Sequence, residues 1–468
     1  MDPVSPHLAA AWCRGRWQAR TPSEPLRALA VDSRRAQAGD LFFALKGEKA
    51  DGHDFLAAVA AAGACAVVRE DFPPEKLPRG GGFLRVDDVR AALGRFAAGY
   101  RATLRARLVG VTGSVGKTST KELVADLLAT VGKTARTAGN FNNEIGLPLS
   151  VAGVDGACAF GVLEAGISHP GEMAFLRDVL MPDAAVMTAI GPVHVEFFES
   201  VRAIAEEKAA LLEKLPASGF AVLDLDDEYF DVLRERSSAP VATCSLKRRA
   251  ADYAGEPQAD GTLRVHERAS GESAVLPLPP PGAYMAENVL RAVAVARKCG
   301  ADWGAMESAL GHAHSVGMRW AVEEVCGWTA INDGYNANPV SLRAALKAFA
   351  DWPAKGRKFL AIGPMLELGR REREEHESLG RFVAGGRWAG AAVVPWKSVP
   401  GRSDAAAAAL LAGLRAGNFP AENSCAAAGH AEAAAWLRER LRPGDALLLK
   451  ASRGVRIEQV LEALRKES

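Results

Sequence analysis

At 468 residues the chain is too long for one ordinary core, and at roughly 100–200 residues per domain it predicts a few domains, with three as the working number. A formal net charge of +1 with 24% charged residues excludes a global field that would recruit nucleic acid or an anionic membrane, so any phosphate site must be local. The seven cysteines (13, 65, 158, 244, 299, 326 and 425) are scattered without a CxxC pair, as expected of reduced thiols in a cytosolic protein, and argue against a structural zinc site.

The opening "MDPVSPHLAAAWCRGRW" has no basic segment leading into an apolar one, and no apolar run reaches the ~18 residues of a membrane span. A soluble, cytoplasmic protein with no membrane span is expected. Within residues 1–105, short apolar strands ("LFFAL", "CAVV") alternate with an alanine-rich helix, the pattern of a small α/β unit. Residues 106–318 continue the alternation with "RLVGVT", a helix from Lys117, "AFGVLEAG", "AAVMTAI" and "FAVLDLD". Strands of nearly continuous apolar character separated by helices predict a parallel sheet buried on both faces. Residues 319–468 carry "GWTAIND", "KFLAIG", "AGAAVVPW" and "GDALLLKAS", each followed by helical sequence. In "NPVSLRAALKAF" Asn338 is placed as a helix cap with Pro339 at the first helical position. The expected fold class is therefore α/β, with a central parallel-sheet domain flanked by two smaller α/β domains.

The stretch "RLVGVTGSVGKTSTKELVADLL" runs an apolar strand into a glycine-rich turn and opens a helix with "GKTS", the context a phosphate-binding loop requires. Backbone N–H groups of Gly113, Ser114, Val115, Gly116 and Ser119 would cradle phosphates, with the Lys117 ammonium on the β and γ groups and the Thr118 hydroxyl on magnesium. The match to GxxxxGK[ST] is imperfect, because Val111 stands where the first glycine belongs. Such a loop needs a carboxylate for its magnesium at the end of a buried strand, and Glu164 in "AFGVLEAG" fits. The next strand places His194 and Glu196, in "PVHVE", at the same sheet edge. In "ESVRAIAEEKAALLEKLP" one helical face carries Val201, Ile204, Leu211, Leu212 and Leu215, and Lys208 falls on it too. A lysine there either snorkels, with its stem on the core and its amine in water, or is a desolvated functional group.

Taken together, these residues resemble the ATP-dependent Mur ligases of peptidoglycan synthesis, and the resemblance covers essentially the whole chain. It is carried by "DSRRAQAGDLFFALKGEKADGHDF", "VTGSVGKTSTKE", "GNFNNEIGLPLS", "EAGISHPGEM", "GPVHVEFFES", "NDGYNANPVSLRAAL", "MLELG" and "LLLKASRGVRIEQV". The runs "GNFNNEIGLP" and "YNANP" separate this branch from relatives that add single amino acids. The resemblance implies a monomeric, three-domain enzyme that uses ATP and Mg2+ to join D-alanyl-D-alanine to a UDP-N-acetylmuramoyl-tripeptide. Asp32, Ser33 and Arg34 would then lie in the UDP-binding motif, and Asn140, Asn142 and Asn143 would face the muramoyl-peptide. The same likeness puts Asn288 on adenine, Asp333 on the ribose side, Arg319 on the phosphates, and Glu164 and His194 at the metal. It also implies that Lys208 is carbamylated by carbon dioxide, which would make it an oxygen ligand for the metal.

Four departures stand out: Arg319 sits in "VGMRWAV" rather than a Gly-Arg pair, Pro364 replaces a usual aspartate in "GPMLELG", "KASRG" replaces "KGSRG", and Asn332 replaces the first of a usual pair of aspartates. Two competing readings share the loop. Another ligase of the superfamily, such as a folylpolyglutamate enzyme, would lack the "DSR…GDLFFAL" and "NFNNEIG" segments, and a nucleotide switch or kinase would need neither Lys208 nor a third α/β block.

Overall fold

The computed structural model describes residues 1–18, 20–313, 317–396 and 405–466, which form a three-domain α/β fold with one sheet per domain. The first sheet has the strand order Arg16–Gln18, Phe83–Val86, Cys65–Arg69, Asp40–Phe43, Ala28–Ala30, parallel except for the antiparallel first strand. In "LFFAL" consecutive residues are buried on opposite faces. Phe43 joins the core that holds Val67 and Leu84, and Phe42 the one that holds Ala66 and Phe83.

The helix Val89–Arg101 opens on Asp88, whose carboxylate accepts from Ala91 N at 2.7 Å, and buries Val89, Leu93, Phe96, Ala97 and Tyr100 at steps of three and four. Gly94 lets it approach the helix Glu172–Leu180, since a Cβ there would stand 2.5 Å from the Phe175 ring. The N-terminal helices and the central sheet consequently share one continuous core, from Val4 and Phe96 to Leu180 and Leu223.

The central sheet has nine strands in the order Ser273–Pro277, Thr262–Glu267, Tyr253–Pro257, Val241–Ser245, Phe220–Asp224, Ala184–Met187, Arg107–Thr112, Phe160–Glu164, Thr134–Arg136. From Tyr253–Pro257 to the Thr134–Arg136 edge all pairings are parallel, as the apolar runs predict. Beyond them, residues 253–277 add antiparallel pairings that the sequence reading did not anticipate. In "TLRVHE" Leu263, Val265 and Glu267 are buried while the residues between them are not, the alternation of a sheet with one solvated face. Arg107–Thr112 lies inside the sheet, separated from the Thr134–Arg136 edge by Phe160–Glu164, and the chain that leaves it on that side returns on the other. This topological switch point opens a crevice at the carboxyl ends of the strands.

The third sheet runs Ala321–Val325, Trp328–Asn332, Ala446–Lys450, Lys358–Ile362, Gly390–Val393, Ser424–Ala426, parallel except for the first hairpin. Ala446–Lys450 is buried along its whole length, which explains the unbroken "ALLLK". The helix Pro339–Asp351 begins as the sequence predicts, with Asn338 and Ser341 in a reciprocal capping box and Pro339 in the first turn.

Candidate active site

The loop that ends Arg107–Thr112 turns at two glycines in left-handed conformations, Gly113 (φ +144°) and Gly116 (φ +87°), before the helix Lys117–Ala129. It is pinned to the end of the neighbouring strand, where Ser114 N donates to Ala189 O at 2.8 Å and Ser114 Oγ to Gly191 O at 3.0 Å. A Cβ at position 113 would stand 1.9 Å from Thr188 Oγ1. Gly113→Ala is therefore expected to distort the loop and weaken nucleotide binding by at least ~10-fold, equivalent to about 1.4 kcal/mol. Calorimetric titration with ADP checks this, and an unchanged affinity would refute the tight fit.

Lys117 Nζ donates to Gly113 O at 2.9 Å and Ser114 O at 3.3 Å. Burial depresses its pKa, the Glu164 carboxylate opposes that, and the Arg319 guanidinium adds to it. Glu164, 2% exposed, is held at both oxygens: Thr118 Oγ1 donates to Oε2 at 2.6 Å and Asn142 Nδ2 to Oε1 at 2.7 Å. The asparagine-rich segment thus reaches the same carboxylate as the loop helix. Asn143 Oδ1 accepts from Gly146 N at 2.9 Å and fixes the turn into the helix Gly146–Ala152, and Asn140 O accepts from Asn142 N at 2.7 Å.

These groups face one cavity of about 940 Å³. Of the residues singled out from sequence, Ser114 to Ser119, Asn140, Asn142, Asn143, Glu164, His194, Asn288, Arg319 and Asp333 line it. Gly113 and Lys208 do not, and neither do Asp32, Ser33, Arg34 or Glu196. Asp32 caps its own turn, accepting from Arg34 N at 3.1 Å and Nη2 at 2.7 Å; the Arg34 guanidinium brings its carboxyl down to about 2.

Lys208 sits on the helix Val201–Ala209, 1% exposed, so snorkelling is overturned: its amine does not reach solvent. Its pKa lies well below the ordinary lysine value, first because of burial and then because of Lys117, against the opposing pull of Glu207, Glu164 and Glu172.

On the helix Ala286–Lys298, Asn288 Oδ1 accepts from Thr120 Oγ1 at 3.1 Å and would be 2.7 Å from a Cβ at Gly116, so it lies directly over the loop. The third domain supplies the opposite wall. The Arg319 guanidinium stacks 3.7 Å from the centre of the Tyr335 ring, and Trp320 N donates to Asp333 Oδ1 at 3.2 Å. Lys450 Nζ donates to Asp333 Oδ2 at 2.5 Å and to Asn336 O at 3.1 Å. His194, with φ +54°, places Nδ1 2.6 Å from Glu367 Oε2, and that contact holds the Glu367 carboxyl below the usual range.

Arg291 and Lys450 are among the cavity residues not singled out from sequence. Arg291, 2% exposed, donates to Asp224 Oδ2 at 2.6 Å and Glu287 Oε2 at 3.2 Å. Its signal was the one that exposed Lys208, a cation on an apolar helical stripe in "ENVLRAVAVARK". Lys450 lay within the quoted "LLLKAS" without a role.

Residues 25–101 match the family described as "Mur ligase family, catalytic domain", 111–296 the "Mur ligase middle domain", and 318–453 the "Mur ligase, glutamate ligase domain". The UDP-N-acetylmuramoyl-tripeptide–D-alanyl-D-alanine ligase of Mycobacterium tuberculosis (strain ATCC 25618 / H37Rv) is 34% identical over 92% of this chain and 91% of its own. The crystal structure of MurF from Acinetobacter baumannii superposes with a TM-score of 0.86 at 26% identity, covering 100% of this chain and 99% of that one. MurF ligase from Thermotoga maritima, solved in complex with ADP, superposes with a TM-score of 0.78 at 28% identity over 94% and 97% of the two chains.

Proposed function

This chain belongs to the Mur ligase family, and from that premise we propose that it is an ATP-dependent peptide ligase joining D-alanyl-D-alanine to UDP-N-acetylmuramoyl-tripeptide in peptidoglycan synthesis. The observation that carries the reading is one cavity walled on one side by Lys117, Thr118 and Glu164 of the central domain and on the other by Arg319, Asp333 and Lys450 of the third. A nucleotide held between two domains beside an asparagine-lined recess suits a reaction that brings two further substrates to its γ-phosphate.

In the first step the tripeptide's terminal carboxylate attacks the γ-phosphorus, the bond to the β-bridging oxygen breaks, and an acyl phosphate and ADP result. Two anions meet there, and Lys117 and Arg319 offset their repulsion by neutralising charge on the transferring group. The D-alanyl-D-alanine amine then attacks the acyl carbon, phosphate leaves, and the amine proton must be taken up; His194, on the cavity wall, is the group offered for that if it is not bound to metal.

Thr118 and Glu164 present oxygen donors, as Mg2+ prefers, and among the described residues no group of three or more His, Cys, Asp or Glu forms a metal cage. That donor set fits an ion held by one or two protein oxygens together with substrate phosphates. Magnesium, when bound there, would neutralise charge on the β and γ groups. His194 is assigned to the same metal region. Lys208 with its depressed pKa offers a neutral amine that can capture carbon dioxide, releasing a proton and leaving a carbamate oxygen where an ammonium has only donors. Asn288 and Asp333 are assigned to the nucleoside, Asn140, Asn142 and Asn143 to the muramoyl-peptide, and Asp32, Ser33 and Arg34 to the UDP end.

The test is phosphate release from ATP in the full-length protein. Release is expected only when UDP-N-acetylmuramoyl-tripeptide and D-alanyl-D-alanine are both present. Equal release with neither substrate would be the behaviour of a nucleotide switch and would sink the reading.

A further inference from the structure

The segment "PMLELG", left without a role by the sequence, touches the nucleotide site from the third domain. We propose that Glu367 is a positioning residue that transmits the docking of the third domain to His194, fixing the imidazole that lines the nucleotide cavity. The inference rests on the assignment of His194 to that site.

Glu367 is presented from a built platform. Met365 N donates to Nε2 of the fully buried His376, Leu366 N donates to Ser452 Oγ at 2.9 Å, and Ser452 N donates to Pro364 O at 3.1 Å. Ser452 Oγ in turn donates to Ala337 O at 3.0 Å, which ties the segment to the turn that follows Asp333. Pro364 therefore serves this loop through its carbonyl, and the acidic function in the segment falls to Glu367.

From the other side, residues 194–196 reach across from the central domain. Val195 packs against the third domain's core with Met365 and Leu368, and a Cβ at Gly369 would lie 3.2 Å from Glu196 Cα. Both partners have left-handed backbones, His194 at φ +54° and Glu367 at φ +62°. Neither is glycine, so each conformation costs energy that the surrounding contacts must offset. Such strain persists where the structure over-determines it, and here the product is a 2.6 Å contact between His194 Nδ1 and Glu367 Oε2 across two domains.

A carboxylate 2.6 Å from one ring nitrogen orients an imidazole through its charge even where, as here, the approach does not close a hydrogen bond. With Nδ1 held toward Glu367, Nε2 is the ring nitrogen left for the site. Without the third domain in place that carboxylate is absent, so the imidazole is fixed only when the domains meet.

Glu367→Gln in the full chain is the test, because Glu367 is half exposed and its amide analogue keeps shape while losing charge. Partners that orient a site histidine typically carry 10–100-fold in affinity or activity, so kcat is expected to fall by roughly that factor, with KM for the tripeptide nearly unchanged. Affinity for ADP with Mg2+, read by calorimetry, should fall in parallel. On a His194→Gln background the same substitution should change neither quantity. Wild-type kcat and ADP affinity in Glu367→Gln beside a damaged His194→Gln would overturn the role of Glu367 alone, and so would an equal loss on both backgrounds. A His194→Gln enzyme that loses nothing would overturn the placement of His194 and this proposal with it.

Discussion

Lys208→Ala is expected to remove ligation almost entirely, with kcat falling by roughly 10²–10³-fold, the scale of losing one well-placed electrostatic group, and with partial recovery on adding formate or acetate. Lys208 is 1% exposed, and after burial the largest charged influence on it is another cation, Lys117, opposed by Glu207, Glu164 and Glu172. A lysine kept only for packing would not be set where burial and a neighbouring cation together outweigh the carboxylates around it, because a buried ammonium is costly, whereas leucine fits the stripe. Truncation removes a buried amine whose charged form is disfavoured, so the fold should survive and leave a void that a small carboxylate can enter. Lys208→Met separates the two effects: it fills the volume without an amine and should be equally inactive but not rescued. Rates measured with acetate against chloride at equal ionic strength check the claim. Near-normal activity in Lys208→Ala would remove Lys208 from the chemistry.

That lysine was visible in the sequence because its signal is local. Three- and four-residue steps place it on an apolar face whichever strand the helix covers. The phosphate loop was legible for the same reason: strand, glycine turn and helix follow one another within residues 107–129. The partners that complete the site are not local. Arg291 meets Asp224 across 67 residues and Lys450 meets Asp333 across 117, and no periodicity links such pairs before the strands are ordered. Glu367 was hidden further, since its partner lies in another domain. The union of the first and central cores was equally hidden, because it depends on Gly94 admitting Phe175, a contact between helices that composition leaves unpaired.

Glu164→Ala should cost the enzyme as much as the loss of Lys208, and Glu164→Gln shows why. The carboxylate accepts from Thr118 Oγ1 through one oxygen and from Asn142 Nδ2 through the other, so alanine leaves both donors, the buried Thr118 hydroxyl among them, without their acceptor. Glutamine keeps an acceptor for Asn142, and the Thr118 hydroxyl can rotate to accept from its amide. The thermal midpoint of Glu164→Gln should therefore stay near that of the native chain while activity falls by roughly 10²–10³-fold, which isolates the negative charge as the catalytic quantity. The charge also supports Lys117. Burial depresses the Lys117 pKa and Glu164 holds it up, so removing the carboxylate's charge lets it fall further. Phosphate binding needs the ammonium, which is present below that pKa and lost as the pH rises through it. The alkaline decline of ADP affinity is therefore expected to begin at lower pH in Glu164→Gln than in the native protein, as measured by titration calorimetry across neutral to alkaline pH. An alkaline limb that does not move would mean that Glu164 acts on the metal side alone, without sustaining the charge on Lys117.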